Sequence, residues 1–96
     1  GFMLDRIGEN FKGVISGVKK WGIYVELPQY KCEGLVRVET MREDVFAYDE
    51  RKMRMIGKRT DKVYQLGDEV EVRLTAVDIE KKTIDFELAH PQKNML

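Results

Sequence analysis

Gly17-Val18-Lys19-Lys20-Trp21-Gly22-Ile23-Tyr24-Val25-Glu26-Leu27 is the stretch from which the rest of the chain is read. From Gly22 onward, Ile23, Val25 and Leu27 alternate with Gly22, Tyr24 and Glu26. A period of two marks a strand with one buried face. Ile23, Val25 and Leu27 therefore enter a core, and Tyr24 stands on the outer face. Trp21 has the wrong parity to join Tyr24 by simple alternation. A bulge or bend at Gly22 brings both rings onto one surface; without it, Trp21 is a rim or core residue. Lys19 and Lys20 place two cations beside the rings. Ring faces and cations together are what stacks bases and holds phosphates in a single-stranded nucleic acid binder.

Upstream, Phe11 to Lys19 reads as a first strand whose Gly13 and Gly17 mark bends of the kind a small barrel needs in order to curl. Downstream, Pro28 opens a loop to Glu33, and Gly34 to Val38 forms a third strand. Val36 and Val38 share one face there and Arg37 takes the other. If this strand pairs with the previous one, Arg37 and Tyr24 lie on the same outer face. Thr40 and Glu43 fit a capping box, which predicts one helical turn. Residues 46–48 and 53–56 flank Asp49-Glu50-Arg51-Lys52, predicting a hairpin with its turn near Asp49-Glu50.

Leu66-Gly67-Asp68 is a turn that launches the most regular strand, in which Val70, Val72, Leu74 and Ala76 alternate with Glu71, Arg73, Thr75 and Val77. A turn at 78–82 leads to Ile84, Phe86 and Leu88, again with polar residues between them. Phe2, Met3, Leu4 and Ile7 have loosely helical spacing, so residues 1–7 read as a linker or the end of an upstream helix, with Gly1 a cloning remnant. The expected organisation is a domain over 8–88 with an insertion at about 43–62, and a tail at 89–96 that contains Pro91. Five short strands, a small hairpin insertion and at most short helical turns make an all-β fold, a small closed barrel.

Ninety-six residues, 43% hydrophobic and 35% charged, fit one globular domain with a modest core. Seventeen basic residues balance seventeen acidic ones, which argues against a binder held mainly by polycation attraction. The balance is uneven along the chain. Residues 51–62 carry Arg51, Lys52, Arg54, Lys58, Arg59 and Lys62 against Asp61 alone, while 63–88 carry seven acidic residues against Arg73, Lys81 and Lys82. Such segregation leaves room for one basic side. No apolar run is long enough to span a bilayer, and the opening residues do not read as a signal segment. The lone Cys32 has no internal disulfide partner, which points to a reducing, cytoplasmic compartment. Cys32 and His90 are too few and too far apart to hold a metal. There is no phosphate-cradling glycine loop and no nucleophile paired with a base. The strand carboxylates alternate with core residues, as solvated faces do.

The order Gly13-x-Ile15-x-x-Val18, Trp21-Gly22-Ile23-Tyr24-Val25, Glu33-Gly34-Leu35-Val36-Arg37-Val38, Leu66-Gly67-Asp68-x-Val70-x-Val72 and Val77-Asp78 resembles the S-one RNA-binding domain. The resemblance covers nearly all of residues 8–88 and implies a five-stranded antiparallel OB-fold barrel. Glu43-Asp44-x-Phe46-x-Tyr48-Asp49-Glu50, Ile56-Gly57-x-Arg59-Thr60, Tyr64-Gln65-Leu66-Gly67-Asp68 and Ile84-Asp85-Phe86-Glu87-Leu88 look more narrowly like the C-terminal S-one domain of the bacterial ribonuclease R family. Its members are hydrolytic exoribonucleases that degrade RNA from the 3′ end.

The resemblance implies single-stranded RNA as partner, with the family's RNA-facing aromatics at Trp21 and Tyr24. Its frequent histidine falls on Arg37 and its aspartate before the last turn on Asp78. Its arginine before the last strand falls on Thr83, so this chain lacks it, with Lys81 or Lys82 the available substitutes. The expected RNA-binding set is therefore Lys19, Lys20, Trp21, Tyr24, Arg37, Asp78 and Lys82. The family's catalytic aspartates and magnesium belong to a separate domain, so neither nuclease activity nor a cofactor is expected of these residues, and the other domains of a parent exoribonuclease are expected partners.

Other readings stay open at this point. The chain can be an S-one module of a polynucleotide phosphorylase or a ribosome-associated factor, or a protein-interaction barrel, which its neutral charge favours. For Asp78, a turn-forming role is the alternative to RNA contact. The 51–62 segment can extend the RNA path or dock on a parent enzyme. Nothing in the sequence sets the oligomeric state.

Overall fold

A computed structural model describes residues 3–89; the expected tail beyond Ala89, with His90 and Pro91, lies outside them. The strands are β1 (Asn10–Lys19), β2 (Gly22–Leu27), β3 (Cys32–Arg37), β4 (Phe46–Asp49), β5 (Arg54–Gly57), β6 (Val63–Gln65), β7 (Glu69–Asp78) and β8 (Thr83–Leu88). Among the described residues the only helical elements are single 3-10 turns at Leu4–Arg6, Pro28–Tyr30 and Val38–Thr40. β1, β2, β3, β8 and β7 close a barrel in that order. All pairings are antiparallel except the closing one between β3 and β8, which is parallel over Leu35–Asp85 and Val36–Phe86. The sequence cannot reveal that contact, because its partners lie about fifty residues apart and share no turn.

The inward faces of the strands meet in one core. Ile15, Val18, Ile23, Val25, Leu27, Val36, Val72, Leu74 and Phe86 are essentially without solvent contact. Burying such a side chain contributes roughly 1.5–3 kcal/mol, so the period-two pattern read in β2 is also the main source of stability.

Two β-bulges bend the sheet, one between Ile15 and Gly17 on β1 and one between Leu74 and Ala76 on β7. The second corrects a simple alternation. Ala76, expected inside, is exposed, and Val77, expected outside, packs against the core. An extra residue in one strand reverses the parity of everything after it, and β-branching and size alone do not announce where that residue falls.

The insertion is more than a hairpin. β4 and β5 pair around the expected turn, but β6 adds a third strand to β5. Three residues carry too little periodicity to be recognised as a strand. Met55 from β5 and Tyr64 from β6 join the barrel core, so this sheet is packed on the barrel. The helical turn predicted at Thr40 lies one turn earlier, at Val38–Thr40, where the Thr40 hydroxyl donates to the carbonyl of Arg37 at 2.7 Å instead of capping a following helix. At the N-terminus, Met3 is buried in the core, and the Arg6 guanidinium lies 5.3 Å from the Tyr30 ring centroid.

Asp44 ties the two ends of the insertion together. Its carboxylate accepts the Thr60 hydroxyl at 2.7 Å and the backbone N–H groups of Val45, Arg59 and Thr60 at 2.6, 3.1 and 2.8 Å. The Thr60 hydroxyl above all, with the backbone donors, holds its carboxyl down to about 2 from an ordinary value of 3.8. A carboxyl whose pKa is depressed by folding stabilises the fold above its ordinary pKa, and that stability fades as pH falls through the folded value. The β4–β6 sheet should therefore loosen between about pH 4 and pH 2. Acid titration followed by the amide signals of Arg59 and Thr60 should show this step, and Asp44→Asn should remove it. An unchanged titration in that variant would refute the assignment.

Candidate nucleic-acid interface

The two-residue turn Lys20-Trp21 joins β1 to β2, and the chain then folds tightly back on β3 at Gly22. Gly22 has φ +154°, and a Cβ there would fall on the carbonyl oxygen of Val36, with Arg37 Cα 3.1 Å away. The missing side chain lets β3 approach this corner, and the Val38 N–H bonds to the Trp21 carbonyl at 3.0 Å. The corner also brings the two rings together. Trp21 is 51% exposed, and its indole Nε1–H donates to the Tyr24 hydroxyl at 3.1 Å. The strand pairing runs without a shift through Gly22, the bulge lying instead between Ile15 and Gly17, and Trp21 reaches Tyr24 from its place in the turn, neither a core residue nor isolated at the rim. Tyr24 lies opposite Gly17 at the β1 bulge, its ring 3.5 Å from where a Cβ of Gly17 would stand.

From Tyr24 a cleft of about 900 Å³ runs across Leu35 and Arg37 toward the β7–β8 turn. Arg37 sits across β2 from Gly22, on the face of Tyr24 and Leu35. Its guanidinium is 3.5 Å from a carboxylate oxygen of Asp85, with side chains 56% and 35% exposed. An ion pair this exposed is worth about 0–1 kcal/mol, so a phosphate competes for Arg37 at little cost. Asp78 and Lys82 line the far end of the cleft together with Lys81. One oxygen of Asp78 accepts the Lys81 N–H at 3.0 Å, so Asp78 also shapes the turn, as its alternative reading requires. Lys19 and Lys20 are exposed at the β1–β2 turn, outside the residues lining the cleft.

Two contributors were not singled out in the sequence. Leu35 gives the cleft an apolar floor beside Tyr24; strand parity could have found it, since it alternates with Val36. Asp85 was hidden, because its link to Arg37 depends on the parallel β3–β8 closure.

The basic run at 51–62 does not form one patch. Arg51 and Lys52 lie at the β4–β5 turn, Lys58 and Arg59 at the other end of β5. Arg54 is held by Asp49 at 3.4 Å, and the Lys62 ammonium lies 5.4 Å from the Tyr64 ring centroid. None of them lines the cleft. Among the described residues, no group of three or more His, Cys, Asp or Glu side chains is placed to hold a metal ion. No helix among them is long and apolar enough to cross a membrane.

Comparison with known proteins gives the family and the fold. The family model described as the S1 RNA binding domain matches residues 4–89. The chain is 47% identical over 87 residues to ribonuclease R of Aquifex aeolicus, covering 91% of the chain and 12% of that protein. It is 40% identical over 92 residues to ribonuclease R of Escherichia coli, covering 96% of the chain and 11% of that protein. Among solved structures, Mycoplasma genitalium RNase R in complex with ribose methylated single-stranded RNA superposes with a TM-score of 0.84 at 31% identity, over 91% of this chain and 14% of that one. The chain thus spans about an eighth of the length of these relatives.

Proposed function

Because the chain belongs to the S1 RNA-binding domain family, we propose that it holds single-stranded RNA across β2 and β3, as an accessory module of a hydrolytic 3′-to-5′ exoribonuclease of the ribonuclease R type. The observation that carries this reading is the shared platform of Trp21 and Tyr24 at the mouth of a cleft that leads to Arg37. Two ring faces supply stacking that tolerates any base, and Arg37 supplies a phosphate partner. The Trp21 Nε1–H and Tyr24 hydroxyl bond to each other, which leaves the platform suited to base faces more than to base edges.

In this reading the chain gathers RNA, while hydrolysis and the magnesium that serves it belong to a catalytic domain of a longer protein. Its setting is the bacterial cytoplasm, where a lone thiol stays reduced. Binding by the isolated module is weak, and tethering to the catalytic domain raises its effective strength. The Mycoplasma relative in complex with single-stranded RNA supports the choice of partner.

The test is titration of the chain with a short unstructured RNA, followed by the Trp21 indole and Tyr24 ring signals. Both should shift in a saturable, salt-dependent way, and an absence of shifts would favour a protein-interaction barrel. Arg37→Gln should weaken binding several-fold and reduce the slope of log affinity against log salt by about 0.7, one phosphate's share on a single strand. A slope equal to that of the unmodified chain would remove Arg37 from the phosphate path.

A further inference from the structure

Two cations of the basic run, Lys58 and Arg59 at the end of β5, have no part in the cleft. The fold sets them against the segment that leads into the insertion. Asp44 accepts the backbone N–H groups of Arg59 and Thr60, which draws residues 42–45 alongside 58–60. Between the two segments lies a pocket of about 410 Å³, lined by Arg42, Asp44, Val45, Lys58 and Arg59. None of these residues lines the cleft.

The charge of this pocket is one-sided. Three cations line it with one carboxylate, and that carboxylate already accepts the Thr60 hydroxyl and the N–H groups of Val45, Arg59 and Thr60. Lys58 and Arg59 are exposed, and among the described residues neither side chain makes an ion pair. The Arg59 guanidinium donates to the Glu43 carbonyl at 3.5 Å, which steers it without cancelling its charge. Arg42 is 75% exposed and stands 3.9 Å from a carboxylate oxygen of Glu87, which Arg73 engages more closely at 3.3 Å. Cations held together repel, and an anion with several acceptor oxygens relieves that repulsion by taking a donor from each.

The pocket also lies in line with the cleft. Asp85, the partner of Arg37, and Glu87, the partner of Arg42, share the face of β8 opposite Ile84 and Phe86, about 6–7 Å apart along the strand. Arg37 and Asp85 line the cleft and Glu87 does not. Arg42 is therefore the next cation along β8, and it shares its pocket with Lys58 and Arg59.

We propose that this pocket is a second phosphate site for single-stranded RNA, in which a strand leaving the cleft past Arg37 places a backbone phosphate among Arg42, Lys58 and Arg59. The inference rests on the RNA-binding reading above and extends it onto the insertion. Val45, 65% exposed, gives the pocket an apolar side for the adjoining sugar. An acidic protein surface is the competing occupant; the alignment with Arg37 along β8 favours the strand held in the cleft.

The experiment measures affinity against salt for single-stranded RNA of about four and about twelve nucleotides, both within the range of OB-fold site sizes. It uses the unmodified chain, Arg42→Gln, Lys58→Gln combined with Arg59→Gln, and a control, Arg51→Gln combined with Lys52→Gln. The control removes the same charge at the opposite end of β5. All five residues are exposed, and Asp44 keeps its backbone partners, so the variants should fold. Lys58→Gln with Arg59→Gln should weaken the longer RNA several-fold and lower its slope of log affinity against log salt by about 0.7, one phosphate's share. Arg42→Gln should act in the same direction. Neither should change the affinity for the shorter RNA, and the control should leave both RNAs nearly as they are. A longer RNA that binds the Lys58 and Arg59 variant as it binds the unmodified chain overturns the site and leaves the cleft standing; so does an equal loss in the control or on the shorter RNA. An unmodified chain that binds neither RNA overturns the RNA reading, and the site with it.

Discussion

Gly22→Ala should unfold the domain or detach β3 from β2. A Cβ at this position meets the Val36 carbonyl oxygen and lies 3.1 Å from Arg37 Cα, both backbone atoms that cannot swing aside. Relief requires opening the β2–β3 pairing at Gly22–Arg37, which also carries the Val38 to Trp21 bond. Strained backbone costs about 1–3 kcal/mol; with the lost pairing, a destabilisation of about 3–5 kcal/mol is expected, in the range reserved for severe single substitutions. A domain of this size has about 5–15 kcal/mol in total. Gly17→Ala is the matched control. Its Cβ would meet only the Tyr24 side chain, at an ordinary 3.5 Å, so it should cost far less. Urea denaturation of the two variants distinguishes them, and equal midpoints would show that close approach at Gly22 is not what matters.

The second large effect concerns the ring platform. Trp21→Ala combined with Tyr24→Ala should weaken single-stranded RNA binding by roughly 30-fold or more, taking about 1–3 kcal/mol for each base that loses its stacking partner. The fold should survive. Trp21 is half exposed and Tyr24 lies outside the buried core, so the pair leaves no core cavity. The salt dependence should stay unchanged, because neither ring carries charge. Trp21→Phe isolates the role of the indole N–H: it keeps a stacking face and removes the bond to the Tyr24 hydroxyl, so a small loss indicates stacking and a large one indicates that the bond positions the rings. Undiminished affinity in the double variant would defeat the stacking model.

Much of this was legible in the chain itself. The bounds of β2 were readable at both ends, since Gly22 and Pro28 punctuate a strict alternation. The five barrel strands followed from the same pattern. Trp21, Tyr24 and Arg37 could be grouped as soon as β2 was paired with β3, a local step across one short loop.

Other features were not readable, for physical reasons that differ. The reversal at Ala76 and Val77 comes from one extra residue in β7, and its place is set by how β7 must bend over both β1 and β8. β6 is too short to have a period, and it forms because β5 offers an open edge and Tyr64 a place in the core. The role of Asp44 depends on Thr60 arriving sixteen residues later.

The sequence by itself determined an all-β barrel, its inward faces and the aromatic strand that turns one ring to solvent, because alternation and punctuation act over a few neighbouring residues. Tertiary structure alone decided that Trp21 joins Tyr24, that Asp85 pairs with Arg37, and that a bulge in β7 turns Val77 toward the core. Those outcomes depend on how the sheet closes, through the close approach at Gly22 and the parallel contact between β3 and β8, and closure is a property of all five strands together.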